Sequence, residues 1–173
     1  MARIRLLTET DGNSQIQEIF DEIREKAGRV PAAYRAFAKY PHILQANWNR
    51  TKNILGEGNV SIETKEAIAT RVSKVNGCHF CLLIHKGNLE KLGVDAKEIE
   101  AIETGEVEDT KLNHILNFVS VATKEPEKLT DADFERLKDL GHSEKDILEI
   151  LTVMEMYTGY NKIISALDLQ PED

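Results

Sequence analysis

The only two cysteines of the chain stand with two residues between them, in the octet Cys78-His79-Phe80-Cys81-Leu82-Leu83-Ile84-His85. On a helix, residues four apart lie above one another, and residues seven apart nearly so. Cys81 and His85 are four apart and Cys78 and His85 seven apart, so both sulfurs and the imidazole fall on one face. Cys78 also falls at a helix start, where unpaired N–H groups stabilise an anion. The thiolate is the reactive form of cysteine, and a helix terminus and a nearby imidazole both favour it. The terminus favours Cys78 as the more acidic thiol; the ring one turn on favours Cys81. Two thiols at this spacing can also close into a disulfide within a single turn.

A base of this kind needs an orienting group, and the preceding segment offers one. Glu66, Thr70, Ser73 and Gly77 fall on one line of a helix, polar or small, beside an apolar flank of Ile68, Val72 and Val75. If that helix packs antiparallel to the next after a break at Gly77, the line faces the cysteines. A carboxylate there could hold the imidazole in one tautomer, which completes a set of nucleophile, base and orienter.

The elements that must position these groups read as helices almost throughout, with little strand alternation. Ile16, Ile19, Phe20 and Ile23 make a stripe that ends at Gly28. Val30 to Tyr40 begins with Pro31, near a helix start where a missing N–H is harmless. Pro41 opens the next helix and Gly56 closes it. Ser61 is an N-cap for a helix to about Asn76; Gly77 breaks it, and the next runs from Cys78 to about Leu92, with Gly93 as its stop. Asp95 to Glu103 and Lys111 to Thr123 follow, with an acidic excursion at Glu103 to Asp109. Thr130 or Asp131 caps a helix ending near Leu140. Ser143 begins the longest, through Leu169, stopped by Pro171. The expectation is an all-α fold of about nine helices in a single domain over residues 1–173, with the cysteine pair at the start of a central helix. His42, His114 and His142 read as unpaired surface or helix-end residues. A faint internal echo sets Ser61, Glu66 and Cys78 beside Ser143, Glu149 and Asn161, with chemistry only in the first copy.

Composition narrows the class. The formal charge of −8 is spread over short mixed clusters, so no basic face exists to displace counterions from nucleic acid or to bind anionic lipid. Met1-Ala-Arg-Ile-Arg lacks an apolar core of signal-peptide length, and no apolar run approaches a membrane span. The expected location is the cytoplasm, where a close cysteine pair is catalytic or metal-binding more often than a structural bridge.

The set Glu66, Ser73, Asn76, Cys78, Cys81 and His85 resembles the signature of the alkylhydroperoxidase D and carboxymuconolactone decarboxylase superfamily, and within it the cysteine-bearing, peroxidase-related branch. The match is strongest over residues 60 to 93 and extends more weakly to Val30-Pro31 and Trp48. The resemblance implies an all-helical fold, assembly into trimers or hexamers, and an alkyl hydroperoxide reductase that needs no cofactor or metal. It implies Cys81 as the peroxidatic thiol, Cys78 as the resolving thiol, His85 as the base and Glu66 as proton relay and orienter. Peroxide is the implied substrate, with reduction by an external dithiol from a lipoyl adaptor or a thioredoxin-like protein. Phe80 departs from the pattern: alkylhydroperoxidase D carries a histidine there, whereas this chain has His79 one residue earlier.

Two other readings compete. A decarboxylase of the carboxymuconolactone type shares the fold but has no use for a dithiol. A zinc-bound or redox-sensing interaction module would use Cys78, Cys81, His85 and His79 as ligands, although structural zinc sites usually draw on two separate knuckles.

Overall fold

In this computed structural model, which describes residues 2–170, the described residues form nine α-helices and one 3-10 turn, with no strand among them. They are α1 (Ser14–Ala27), α2 (Ala32–Phe37), α3 (Pro41–Gly56), α4 (Ile62–Val75), α5 (His79–Lys91), α6 (Ala96–Thr104), α7 (Thr110–Lys124), the 3-10 turn Pro126–Lys128, α8 (Asp131–Asp139) and α9 (Glu144–Leu167). The chain is all-α, with the cysteine pair at the start of α5. Pro171, the expected stop of the last helix, lies outside the described residues.

The chain divides into two compact units. Of the described residues, the first comprises 2–53 and 163–170. Asn13 caps α1 by accepting the Ile16 N–H at 3.1 Å, and the stripe Ile16, Ile19, Phe20 and Ile23 is buried. Trp48 is core packing with a polar tether: its ring meets Tyr34 edge-on, and its Nε1–H donates to Glu22 at 2.8 Å. The helix expected over residues 30–40 is shorter, spanning only Ala32–Phe37. Pro31 stands at its N-cap, and Pro41 keeps Tyr40, the residue before it, out of helical conformation.

The second unit, residues 54–162, holds the chemistry-bearing residues. Its main core gathers Ile68, Ala69 and Val72 of α4, Ile115, Phe118 and Val119 of α7, Leu137 of α8, and Ile147, Ile150, Val153, Met156 and Tyr157 of α9. A second cluster joins Ala67 and Leu89 to Ile99, Ile102, Val107 and Leu116. Helix α4 contributes to both and is buried over most of its circumference. Its side chains therefore point into protein in nearly every direction, and any polar group among them needs a partner.

Several local readings change against the structure. The segment from Glu103 to Asp109 is tied down rather than looped out: Val107 is buried, and its carbonyl accepts from Asn113 at 3.0 Å. His114 is paired, with Nδ1 against the Thr110 carbonyl at 2.7 Å and Nε2 against Arg136 at 3.3 Å. Pro126 begins a 3-10 turn too short to leave a periodic signal. Helix α9 ends at Leu167, two residues earlier than expected, and Asp168 takes a positive φ of 54°.

Candidate active site

Helices α4 and α5 form a hairpin. The break is Gly77, whose φ of 69° is left-handed and suits a residue without a Cβ. The turn is held by the Cys78 N–H, which donates to the Ser73 carbonyl at 2.9 Å. Cys78 is the N-cap of α5, and its Sγ accepts the Cys81 N–H at 3.4 Å. The two cysteines are joined in a disulfide, with Cα atoms 5.4 Å apart. Both are only 3% exposed. One turn on, His85 is 8% exposed, on the same face of α5 as Cys81.

Glu66 reaches this face from α4. Its Oε2 lies 2.8 Å from His85 Nδ1, and the carboxylate is itself 5% exposed. An ionised carboxylate only accepts, so the proton sits on Nδ1 and the Nδ1–H donates. Nε2 is then the nitrogen with a free lone pair, and it makes no hydrogen bond among the described residues. The line predicted along α4 is real: Glu66, Thr70 and Ser73 are all buried, and Thr70 Oγ1 donates back to the Glu66 carbonyl at 2.9 Å.

The structure adds groups that the sequence did not assign to the catalytic set. Asn88, on α5, donates from Nδ2 to the same Glu66 Oε2 at 3.2 Å. Its spacing of seven from Cys81 was the available signal, but it acquires meaning only once Glu66 is known to face that stripe. Tyr157 of α9 packs edge-on against the His85 ring, with centroids 4.4 Å apart and planes at 78°. Ser73 Oγ donates to Asn161 Oδ1 at 3.2 Å, which brings the Asn161 of the sequence echo to the α4 side of the hairpin. The Asn161 amide nitrogen is buried without a partner among the described residues.

A second layer of charge fixes the hairpin. Glu103 of α6 takes Lys74 of α4 on one oxygen and Lys86 of α5 on the other, each at 2.7 Å. Hydrogen bonds from these two lysines hold its carboxyl below the usual glutamate range. Arg71 of α4 donates to Ser120 of α7 at 2.7 Å and to the Glu103 carbonyl at 2.9 Å, and its burial pulls the guanidinium pKa down. Both sulfurs are joined in the disulfide, and among the described residues no three His, Cys, Asp or Glu side chains converge.

The carboxymuconolactone decarboxylase family matches residues 41–124. An uncharacterized peroxidase-related protein from Silicibacter sp. TM1040 superposes with a TM-score of 0.89 at 26% identity, covering 98% of this chain and 91% of that one. A structure from Ralstonia eutropha JMP134, described as an alkylhydroperoxidase AhpD core and also peroxidase-related, superposes with a TM-score of 0.88 at 19% identity, covering 99% and 93%.

The carboxymuconolactone decarboxylase family match spans just under half of the chain, and the fold is that of alkylhydroperoxidase D-like structures.

The same fold also carries other chemistry. The debrominase Bmp8, solved as a cysteine-to-alanine variant in complex with 2,3,4-tribromopyrrole, has a TM-score of 0.83 at 20% identity, covering 98% of this chain and 93% of that one. Comparison with curated protein sequences gives no match. Phe80, which stands where alkylhydroperoxidase D carries a histidine, is half-buried, and His79 is exposed.

Proposed function

We propose that this chain is a thiol-dependent alkyl hydroperoxide reductase that cycles through the Cys78–Cys81 disulfide. The observation that carries the reading is the Glu66–His85 hydrogen bond at 2.8 Å, one helical turn from that disulfide. It leaves Nε2 as the only proton acceptor of the ring, on the face shared with Cys81.

In the reduced enzyme, His85 Nε2 takes the proton of the Cys81 thiol. The thiolate attacks the peroxide oxygen and the O–O bond breaks. Sulfur is oxidised to the sulfenic acid, and the departing alkoxide takes the proton from His85 and leaves as the alcohol. The Cys78 thiol then attacks the sulfenic sulfur, water leaves, and the disulfide closes. An external dithiol returns two electrons by exchange and is itself oxidised to a disulfide. A lipoyl adaptor or a thioredoxin-like protein has the required chemistry. We further propose a cytoplasmic homo-oligomer, trimer or hexamer. Among the described residues no helix is long and apolar enough to cross a membrane.

The test is peroxide consumption supplied with dihydrolipoamide. Turnover should vanish in Cys81→Ser, and one equivalent of organic hydroperoxide should convert the reduced wild-type protein to the intramolecular disulfide by mass. Retained turnover in Cys81→Ser rejects the assignment. Decarboxylation, the activity named in the matching family, gives the dithiol no role, and release of carbon dioxide from the lactone assays it directly.

A further inference from the structure

The Glu66 carboxylate is loaded on one side. His85 Nδ1 and Asn88 Nδ2 both donate to Oε2, at 2.8 and 3.2 Å, while Oε1 accepts no hydrogen bond from the described residues. The terminal torsion of a glutamate is soft and roughly two-fold, so a carboxylate held by one donor can rock or exchange its oxygens. Two donors on one oxygen, both from α5, remove that freedom. Asn88 lies three residues after His85 and seven after Cys81, so the cysteine, the ring and the amide form one stripe of a single rigid helix. The carboxylate that crosses from α4 is thereby registered to the helix that carries the sulfurs.

We propose that Asn88 is a positioning residue for His85. By anchoring Glu66 Oε2 it locks the imidazole as the Nδ1–H tautomer, with Nε2 presented to the face of Cys81. Its consequence for turnover rests on the peroxidase reading; its consequence for the tautomer does not.

The experiment uses the full chain in the disulfide form, with 15N-labelled histidine. Long-range proton–nitrogen correlation reads the His85 tautomer as pH is varied. Wild type should show a single Nδ1–H form at neutral pH. Asn88→Ala should give mixed tautomers. Asn88→Leu, of similar shape but with no polar hydrogen to donate, should do the same, while Asn88→Gln, which keeps an amide donor, should restore the wild-type pattern. Peroxide turnover in Asn88→Ala should fall about tenfold in kcat with KM unchanged, less than the hundredfold that a 1 Å misplacement can cost. Far-ultraviolet circular dichroism identifies folded variants, and either the Ala or the Leu variant suffices. An unchanged tautomer in a folded Asn88→Ala or Asn88→Leu protein overturns the proposal. A changed tautomer in a protein whose wild type consumes no peroxide upholds the positioning role and removes the peroxidase reading instead.

Discussion

Lys65 and Glu66 are neighbours on α4, both almost wholly buried, and they do opposite things with their charge. Lys65 is saturated. Its Nζ donates to the Ile54 and Glu57 carbonyls at 2.8 and 2.6 Å and lies 2.7 Å from Glu149 Oε1. That last contact is an ion pair rather than a directed hydrogen bond, because Oε1 has no aligned donor. The other Glu149 oxygen accepts the Asn59 and Val60 N–H groups, and Gly58 packs so close to the carboxylate that a Cβ would collide with it. Every charge in this cluster closes on backbone or on its counter-ion, which is what a structural staple requires. Glu66 instead spends one oxygen on a histidine whose second nitrogen stays open. A site differs from a staple by what is left uncommitted.

The sharpest way to break that contrast is to remove the Lys65 charge. Lys65→Met should cost about 3 kcal/mol, because Glu149 loses its counter-ion in a largely buried place. Urea unfolding measures it, and the turnover of the remaining folded protein should be unchanged. Glu66→Gln keeps shape and burial but withdraws the carboxylate from Nδ1. Peroxide turnover should fall about a hundredfold, the scale of lost acid–base catalysis, while the urea midpoint moves much less than in Lys65→Met. If the two variants exchange phenotypes, the division of labour between the neighbours is wrong.

A gentler probe is pH. Burial alone would raise the Glu149 pKa, but the Lys65 contact and the Asn59 and Val60 amides outweigh it and leave it below the ordinary 4.5. A carboxyl depressed on folding gives stability that is complete above its unfolded value and lost as pH falls through the folded one. Wild type should therefore weaken below about pH 4.5, a slope shared with Asp146, Glu103 and other depressed carboxyls. Lys65→Met should show a shallower acid slope, and the difference between the two curves isolates Glu149. Identical slopes would remove Glu149 from the staple.

Signals contained within one turn were legible in the sequence. Pro41 and Gly56 bound α3, Ser61 caps α4 through the Thr64 N–H, and Gly77 breaks the hairpin. The spacing of Cys78, Cys81 and His85 could be read because periodicity alone puts them on one face. Glu66 could be placed on the right line of α4, but its partner atom depended on hairpin register. Contacts between distant segments left no local mark. Nothing in the sequence separates Lys65 from a solvated lysine, and Tyr157 reaches His85 from another helix. Helical periodicity gives directions around an axis; it does not say which axis lies opposite.

The three residues between α4 and α5, Asn76 to Cys78, therefore act as a gauge. One residue added or removed there would rotate α5 by about 100° about its own axis and slide it about 1.5 Å along it. His85 and Asn88 would then turn away from Glu66 together, even with every side chain intact. Loops elsewhere in the chain can change length at modest cost; this one is held to its count by the angle at which an imidazole must meet a carboxylate.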